Sequence, residues 1–219
     1  MLKKTKQPWQ TKAVMAQIYN MHLWGGTEFD FYSGDGSHNP EIINPYCDVL
    51  IAFLKSQKKP LIVCDLGCGD FNIGKHLVKH CQSYFAIDIV EKLIDRNKTL
   101  FKEKTLEFLC LDITKDKLPF GECVILRQVL QHLSNQEIQH ILKQIQCYKY
   151  LVLTEHLPLG SFTPNKDIIS GQGIRLKQNS GVDILKIPFN FKVIEAKTLS
   201  EHILENNKGR LVTRLYKVF

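Results

Sequence analysis

The residues best suited to chemistry in this 219-residue chain surround a short glycine-containing segment, residues 65–70, which reads D-L-G-C-G-D. An apolar run typical of a buried strand precedes the segment. Gly67 and Gly69 permit a tight turn there and let a ligand approach bare backbone. Asp88 and Asp112 end the next two apolar runs. The carboxyl ends of parallel strands form ligand sites, so we expect these carboxylates to accept hydrogen bonds from one polar ligand.

The spacing of the glycines excludes three common sites. A dinucleotide fingerprint needs Gly at position 72, where this chain has Asn72, and no P-loop pattern is present. A hydrolase nucleophile elbow around Gly34 and Gly36 needs a central Ser, where the chain has Asp35. A structural turn without a ligand remains the alternative for residues 65–70. Carboxylates at two further strand ends favour a nucleoside site, with ribose on Asp88 and adenine on Asp112.

With these residues the chain resembles a class I, Rossmann-like methyltransferase that depends on S-adenosylmethionine (SAM), over residues 45–155 and on to the terminal hairpin. The matching segments are D-L-G-C-G-D at 65–70, I-D-I at 87–89 and L-D-I-T at 111–114. The resemblance implies SAM as methyl donor and S-adenosylhomocysteine (SAH) as product. It implies these cofactor-binding residues: Asp65, Gly67, Gly69, Asp70, Asp88, Ile89, Asp112, Ile113 and Arg127. The chain departs from the longer D-x-G-x-G-x-G pattern at Phe71, where the family has a third Gly.

The fourth apolar run leads into residues 126–133, L-R-Q-V-L-Q-H-L, a segment that faces the transferred methyl group in similar methyltransferases. The catalytic candidates are therefore Arg127, Gln128 and His132. His132 is the leading general base, because an unperturbed imidazole accepts a proton near neutral pH. The alternative is a histidine that only hydrogen-bonds backbone. Methyl transfer depends mainly on positioning, and a base is not always required.

The acceptor-binding candidates come from loops on either side of this core. Trp24, Tyr32 and Asp35 belong to an amino-terminal segment that is expected to act as a lid, with a surface turn as the alternative. His156 follows the fifth strand, and Arg175 lies in a long loop. His76 and His80 have helical metal-ligand spacing but no third ligand, so no metal is predicted.

Alternating apolar runs and amphipathic helices after residue 60 predict a doubly wound α/β fold. The expected sheet is mostly parallel and seven-stranded, with a carboxy-terminal antiparallel edge hairpin and an amino-terminal helical and loop lid. The predicted strands are residues 61–64, 84–87, 106–110, 122–126, 150–154, 191–197 and 211–219. The predicted helices are residues 11–23, 41–54, 73–81, 90–102 and 135–146, with a helical turn at 199–204. Ser134 and Glu137 have the spacing of a capping box.

We expect one domain over residues 1–219, divided by role along the chain. Residues 1–40 would form the amino-terminal helix and lid loop, and residues 41–155 the SAM-binding core. Residues 156–190 would form an acceptor-binding insertion, and residues 191–219 the hairpin.

Composition narrows the setting and the partners. The seven cysteines are odd in number and scattered, which favours reduced thiols, and the apolar runs are too short to cross a membrane. We therefore expect a cytoplasmic protein, a monomer or homodimer, that does not bind membranes. The net charge of +7 admits nucleic acid as a partner, but the basic residues are spread along the chain. The densest cluster, at Lys3, Lys4, Lys6 and Lys12, is interpreted as a solvated tail.

The sequence therefore predicts transfer of a methyl group from SAM to a small-molecule or sugar-containing acceptor. An RNA or protein methyltransferase is the enzymatic alternative, motivated by the positive charge. A SAM-binding protein without catalytic activity, or a site for a different nucleotide, are the other hypotheses.

Overall fold

The computed structural model describes residues 9–219, so Lys3, Lys4 and Lys6 of the basic cluster lie outside the described residues. The α-helices are α1 (Thr11–Asn20), α2 (Asp35–His38), α3 (Pro40–Lys55), α4 (Gly74–Leu77), α5 (Glu91–Leu100) and α6 (Asn135–Ile145). The strands are β1 (Ile62–Leu66), β2 (Ser83–Asp88), β3 (Leu106–Cys110), β4 (Cys123–Arg127), β5 (Tyr150–Leu157), β6 (Glu195–Ile203) and β7 (Arg210–Lys217). Short 3₁₀ turns lie at Val78–His80, Leu130–His132, Arg175–Gln178 and Glu205–Asn207.

The seven strands form one sheet in the order β3-β2-β1-β4-β5-β7-β6. Strands β1 to β5 run parallel, and β7 pairs antiparallel with both β5 and β6. The predicted fold class is therefore confirmed. The order reverses between β1 and β4, which makes the carboxyl ends of these two strands the switch point where ligands bind in such sheets.

Both faces of the parallel strands are buried, which explains their nearly continuous apolar sequences. Alternate residues of β1 point to opposite faces. Cys64 packs in the cluster that contains α6, whereas Val63 packs in the cluster that contains α3 and α4. Helices therefore cover the sheet on both sides and hold the strand ends in place.

The carboxy-terminal hairpin differs in detail from the sequence prediction. The turn predicted at residues 199–204 is part of β6, which starts at Glu195, and an irregularity between Thr198 and Ser200 interrupts its pairing with β7. Such a bulge shifts the alternation of side chains along an edge strand. The period-two pattern expected of a strand is therefore absent from the sequence of β6, and the pattern that is present favoured a helical turn.

The amino-terminal segment differs as well. The lid loop expected within residues 1–40 is interrupted, because Asp35–His38 forms a helical turn that Asn39 links to α3. The predicted helix at 73–81 is shorter and ends in the 3₁₀ turn Val78–His80. The capping box of α6 is present: Ser134 Oγ accepts from the amide of Glu137, and the Glu137 carboxylate accepts from the amide of Ser134.

Within residues 9–219, none of the helices has the length and apolar character needed to cross a membrane.

Candidate active site

A cavity of about 370 Å³ lies at the switch point, over the carboxyl ends of β1, β2 and β4. The floor consists of the strand ends and the turns that follow them. The roof consists of three parts: α1, a lid, which we define as residues 24–38, and Gln172 and Ile174 of the long segment after β5. Of the residues predicted to bind cofactor or acceptor or to act in catalysis, these line it: Trp24, Asp65, Gly67, Gly69, Asp88, Ile89, Asp112, Ile113, Arg127, Gln128 and His132.

The glycine turn after β1 is shaped for close approach of a ligand. Gly67 and Gly69 have φ of 80° and 57°, in the left-handed region that disfavours side chains. A Cβ on Gly67 would collide with the side chain of Val129, and one on Gly69 with Ser33. The turn is pinned to β2, because the amides of Gly67 and Cys68 donate to the carbonyl of Ile87.

Phe71 occupies the position of the family's third glycine and has the conformation that glycine favours, with φ of 64°. Its ring is fully buried and packs edge-on against Phe101 and Phe108. A Cβ on Gly74 would collide with this ring. The side chain therefore points into the core rather than into the cavity, and its burial offsets the strain of the backbone.

Asp88 is the last residue of β2, and two backbone amides fix the position of its carboxylate. Its Oδ2 accepts from the amide of Gly69 at 3.1 Å, and its Oδ1 accepts from the amide of Val90 at 3.0 Å. Burial raises the pKa of Asp88, although these hydrogen bonds oppose that shift. A carboxylate oxygen has more than one lone pair, so Asp88 keeps capacity for donors inside the cavity.

Asp65 and Asp112 differ in their surroundings. Burial raises the pKa of Asp65 to about 7, and its carboxylate accepts from the hydroxyl of Tyr84 at 2.8 Å. Burial also acts to raise the pKa of Asp112, but hydrogen bonds from Lys115 and Thr114 outweigh it and hold that pKa below its usual value. Asp112 is therefore a carboxylate at neutral pH, whereas Asp65 is only partly ionised.

Arg127 ends β4 and reaches the lid. Its Nη1 lies 3.2 Å from both Ser37 Oγ and Gln128 Oε1, and its Nη2 donates to the carbonyl of Gly36. The guanidinium also stacks over the ring of Tyr46, 4.7 Å from its centroid. One side chain thus links the sheet, helix α3 and the lid at the cavity wall.

His132 lies in the 3₁₀ turn after β4 and has partners for both ring nitrogens. Nδ1 lies 3.1 Å from the carbonyl of Gly171 and Nε2 lies 3.2 Å from the side-chain nitrogen of Gln131, while the ring packs against Trp24. If Nδ1 donates to Gly171, then Nε2 accepts from Gln131. Burial lowers the pKa of His132 to about 4. The imidazole is therefore neutral at physiological pH and a weak base.

Asp70, predicted to bind the cofactor, contacts the lid instead. Its Oδ2 accepts from the amide of Ser33 at 2.9 Å and lies 2.6 Å from His38 Nε2. In return, Ser33 Oγ accepts from the amide of Asp70. The residue is 4% exposed and does not line the cavity. Its carboxylate holds the lid against the glycine turn.

Four predicted acceptor-binding residues also lie outside the cavity lining. Tyr32 stacks against Phe29 and donates to Asp35, which is exposed. His156 Nε2 lies 2.6 Å from the carbonyl of Lys208, on the hairpin side. Residue type suggested a ligand contact for each of them, but each side chain instead makes a hydrogen bond to another residue of this chain.

Arg175, the fourth of these residues, is 1% exposed. Its guanidinium donates to the carbonyls of Lys166, Leu130, Gln131 and Leu133 and to the side chain of Asn135. These bonds anchor the segment after β5 to the turn that carries His132. Arg175 therefore shapes the cavity wall from behind instead of entering it.

Several lining residues were not singled out from the sequence. They are Thr11, Met15, Tyr19, Tyr46, Ile73, Leu77, Leu111, Thr114, Ile125, Val129, Gln131, Leu133, Gln172 and Ile174. Most come from α1, α3 or loops that approach the strand ends only in the folded chain. Their amphipathic patterns indicated core packing, and nothing in the sequence separates a core position from a cavity wall.

Comparisons with known proteins agree with this geometry. Residues 63–148 match a family model described as a methyltransferase domain. A search of curated protein sequences found no significant match.

Among solved structures, magnesium protoporphyrin IX methyltransferase from Synechocystis PCC 6803 with bound SAM is 16% identical, with a TM-score of 0.58 over 97% of this chain and 100% of that chain. An N-methyltransferase from Bradyrhizobium japonicum WM9 in complex with SAH is 13% identical, with a TM-score of 0.65 over 93% of this chain and 98% of that one. Human N-acetylserotonin methyltransferase in complex with SAM is 15% identical, with a TM-score of 0.58 over 95% of this chain and 60% of that one. Identities this low show a shared fold.

The fold is the class I fold of these SAM-dependent methyltransferases. Residues 63–148 match a methyltransferase domain, and with the shared fold this match confirms the methyltransferase class predicted from the sequence. SAM, the predicted methyl donor, is the donor that this class uses.

Proposed function

We propose that this protein binds SAM in the switch-point cavity and transfers its methyl group to a small-molecule acceptor. The observation that supports a small acceptor is the roof over the cavity. The lid contacts the floor through Arg127, and Gln172 donates to the carbonyl of Leu23 at 2.7 Å, so the segment after β5 reaches the residue that directly precedes the lid. A concave, largely preformed cavity that is partly covered suits a small ligand.

The residues of the cavity fit SAM. Asp88 is available to accept hydrogen bonds from the ribose hydroxyls. Gly67 and Gly69 of the turn, which carry no side chains, are available to the methionine part of SAM. Asp112 and Ile113 are available to the adenine. SAM, when bound, supplies a methyl group on a positively charged sulfur, and a lone pair of the acceptor displaces that sulfur. The contribution of the protein is to position the acceptor and exclude water, which the lid and Trp24 are placed to do.

For His132 we propose a positioning role rather than that of a general base. Its low pKa leaves little driving force for taking a proton, and Nε2 already accepts a hydrogen bond from Gln131 in the tautomer that donates to Gly171. The imidazole joins the turn after β4, the segment after β5 and the lid residue Trp24. These are the three parts of the chain that would surround an acceptor.

Calorimetric titration with SAM, SAH, NAD and ATP tests the donor. We expect SAM and SAH to bind and NAD and ATP to bind weakly or not at all; preferential binding of NAD would contradict the proposal. A titration with tRNA at several salt concentrations tests the RNA alternative. Affinity that falls steeply with salt would favour an RNA substrate, because released counterions dominate such binding.

Two further expectations remain proposals. The chain acts as a single domain, with residues 156–190 contributing to the acceptor side of the cavity. It works as a monomer or homodimer.

A further inference from the structure

Arg127 is a half-buried cation whose hydrogen-bond partners are all neutral. They are the hydroxyl of Ser37, the side-chain amide of Gln128 and the carbonyl of Gly36. Across residues 9–219, no carboxylate lies within 4.0 Å of its guanidinium nitrogens. Its Nε is buried and has no hydrogen-bond partner. A guanidinium does not lose its proton in proteins, so the positive charge stays.

The acid on the adjacent strand does not pair with this charge. Asp65 points to the same face of the sheet as Arg127, but burial raises the pKa of Asp65 to about 7 and its carboxylate is bonded to Tyr84. A buried charge is costly unless a counter-charge pairs with it. Arg127 lines the cavity, so an anionic group of a ligand bound there is placed to supply the missing counter-charge.

We propose that Arg127 is the carboxylate-binding residue of the cavity. This inference rests on the proposed function and specifies which part of a ligand meets this side chain. A guanidinium offers donors in one plane that match a carboxylate. The carboxylate has two potential sources, the amino-acid end of SAM or a carboxylate on the acceptor.

The first arm of the test asks about the donor. SAH and decarboxylated SAH are titrated calorimetrically into the wild-type protein, Arg127→Met and Arg127→Lys. If Arg127 binds the donor carboxylate, the wild type prefers SAH on the order of 10- to 100-fold. Arg127→Met loses this preference, and Arg127→Lys keeps part of it. Arg210→Met is the matched control, because Arg210 pairs with Glu201 on the remote hairpin, and this variant should keep the wild-type preference.

The second arm asks about the acceptor, with benzoate as the carboxylate probe and benzamide as its neutral counterpart. Both are titrated into protein saturated with SAH at constant ionic strength. If the carboxylate belongs to the acceptor, benzoate binds better than benzamide to the wild type and Arg127→Met removes the difference. Arg127→Lys should restore part of it, which a purely structural role would not do.

A preference for carboxylate that depends on Arg127 in either arm supports the inference. Wild-type protein that binds SAH but shows no such preference in either arm would overturn it and leave the proposed function intact. If the wild type does not bind SAH, the proposed function fails and the inference fails with it.

Discussion

The carboxylate of Asp70 lies 2.6 Å from Nε2 of His38, and this contact joins the glycine turn of the sheet to the lid. The same carboxylate accepts a hydrogen bond from the amide of Ser33, so it contacts the lid at two positions, Ser33 and His38. A residue of the cofactor-binding motif thus acts on the ligand site by holding the lid closed over it.

Removal of this carboxylate should loosen the lid. In Asp70→Ala, we expect amide hydrogen exchange in residues 31–38 to accelerate on the order of 10-fold or more, because buried hydrogen bonds to a charged group are lost. Asp48→Ala is the control, since Asp48 is exposed on α3. Unchanged exchange in the lid of Asp70→Ala would show that other contacts hold it.

Loss of the Asp88 carboxylate should weaken cofactor binding directly. We expect Asp88→Ala to bind SAH about 1.5–3 kcal/mol more weakly, the usual contribution of hydrogen bonds to a charged group. Calorimetry measures this change, and a thermal melt shows whether the variant is folded. Asp95→Ala, an exposed acid on α5, should bind as the wild type does. Equal affinities for all three proteins would mean that ribose does not meet Asp88.

Phe71 permits a test of strain against packing. Both Phe71→Ala and Phe71→Gly lose the buried ring, and we expect each to be destabilised by about 3–5 kcal/mol, as for other buried aromatic residues. Of the two, Phe71→Gly should be the more stable by about 1 kcal/mol, because only glycine adopts a positive φ without cost. Urea denaturation measures both. A more stable alanine variant would contradict the strained conformation.

The sequence was sufficient for the parts of this site that local patterns determine. The spacing of Gly67 and Gly69, and the acids at the ends of β2 and β3, indicated the edge of the sheet where the cavity lies. Because β1, β2 and β3 run parallel and are adjacent in the sheet, their carboxyl ends lie next to one another. Residue type alone could not tell Asp88, which faces the cavity, from Asp70, which faces the lid.

The roof was the less predictable part, because its positions depend on contacts between distant segments. Arg175 appeared suited to bind a ligand, but five hydrogen bonds to carbonyls and an amide oxygen bury it in the fold. The full length of the edge strand β6 could not be predicted, because its pairing with β7 is irregular near Thr198. Only the folded chain shows which polar groups are already satisfied.

The buried carboxyl group of Glu155 should make the stability of the folded protein fall as the pH rises. Glu155 is 3% exposed, and burial raises its pKa to about 8. The unfolded chain loses this proton near pH 4.5, so the folded state binds more protons between about pH 4.5 and 8, and stability falls as the pH rises through this window.

Glu155→Gln removes that dependence. We expect its melting temperature, relative to wild type, to increase steadily from pH 5 to pH 8. Glu195→Gln, at an exposed position of β6, should show no such trend. A constant difference between Glu155→Gln and wild type at every pH would indicate that the Glu155 carboxylate is ionised in the fold.

His132 distinguishes positioning from base catalysis once an acceptor is available. We expect His132→Gln to bind SAH as the wild type does and to lose on the order of 10-fold in turnover, less than the 10²- to 10⁴-fold contribution of a general base. Because burial lowers the pKa of His132 to about 4, the wild-type rate should show no ionisation of this residue between pH 6 and 8. A rate that follows an ionisation near pH 6.5 and disappears in the variant would restore the base role.

The most direct test of the proposed function is transfer of a tritiated methyl group from SAM. The protein is incubated with labelled SAM and a cell extract that has been separated into small-molecule, RNA and protein fractions, with Asp88→Ala as the control. We expect label to appear in the small-molecule fraction, and only with the wild-type protein. Label confined to RNA or protein, or no transfer to any fraction, would contradict methyl transfer to a small acceptor.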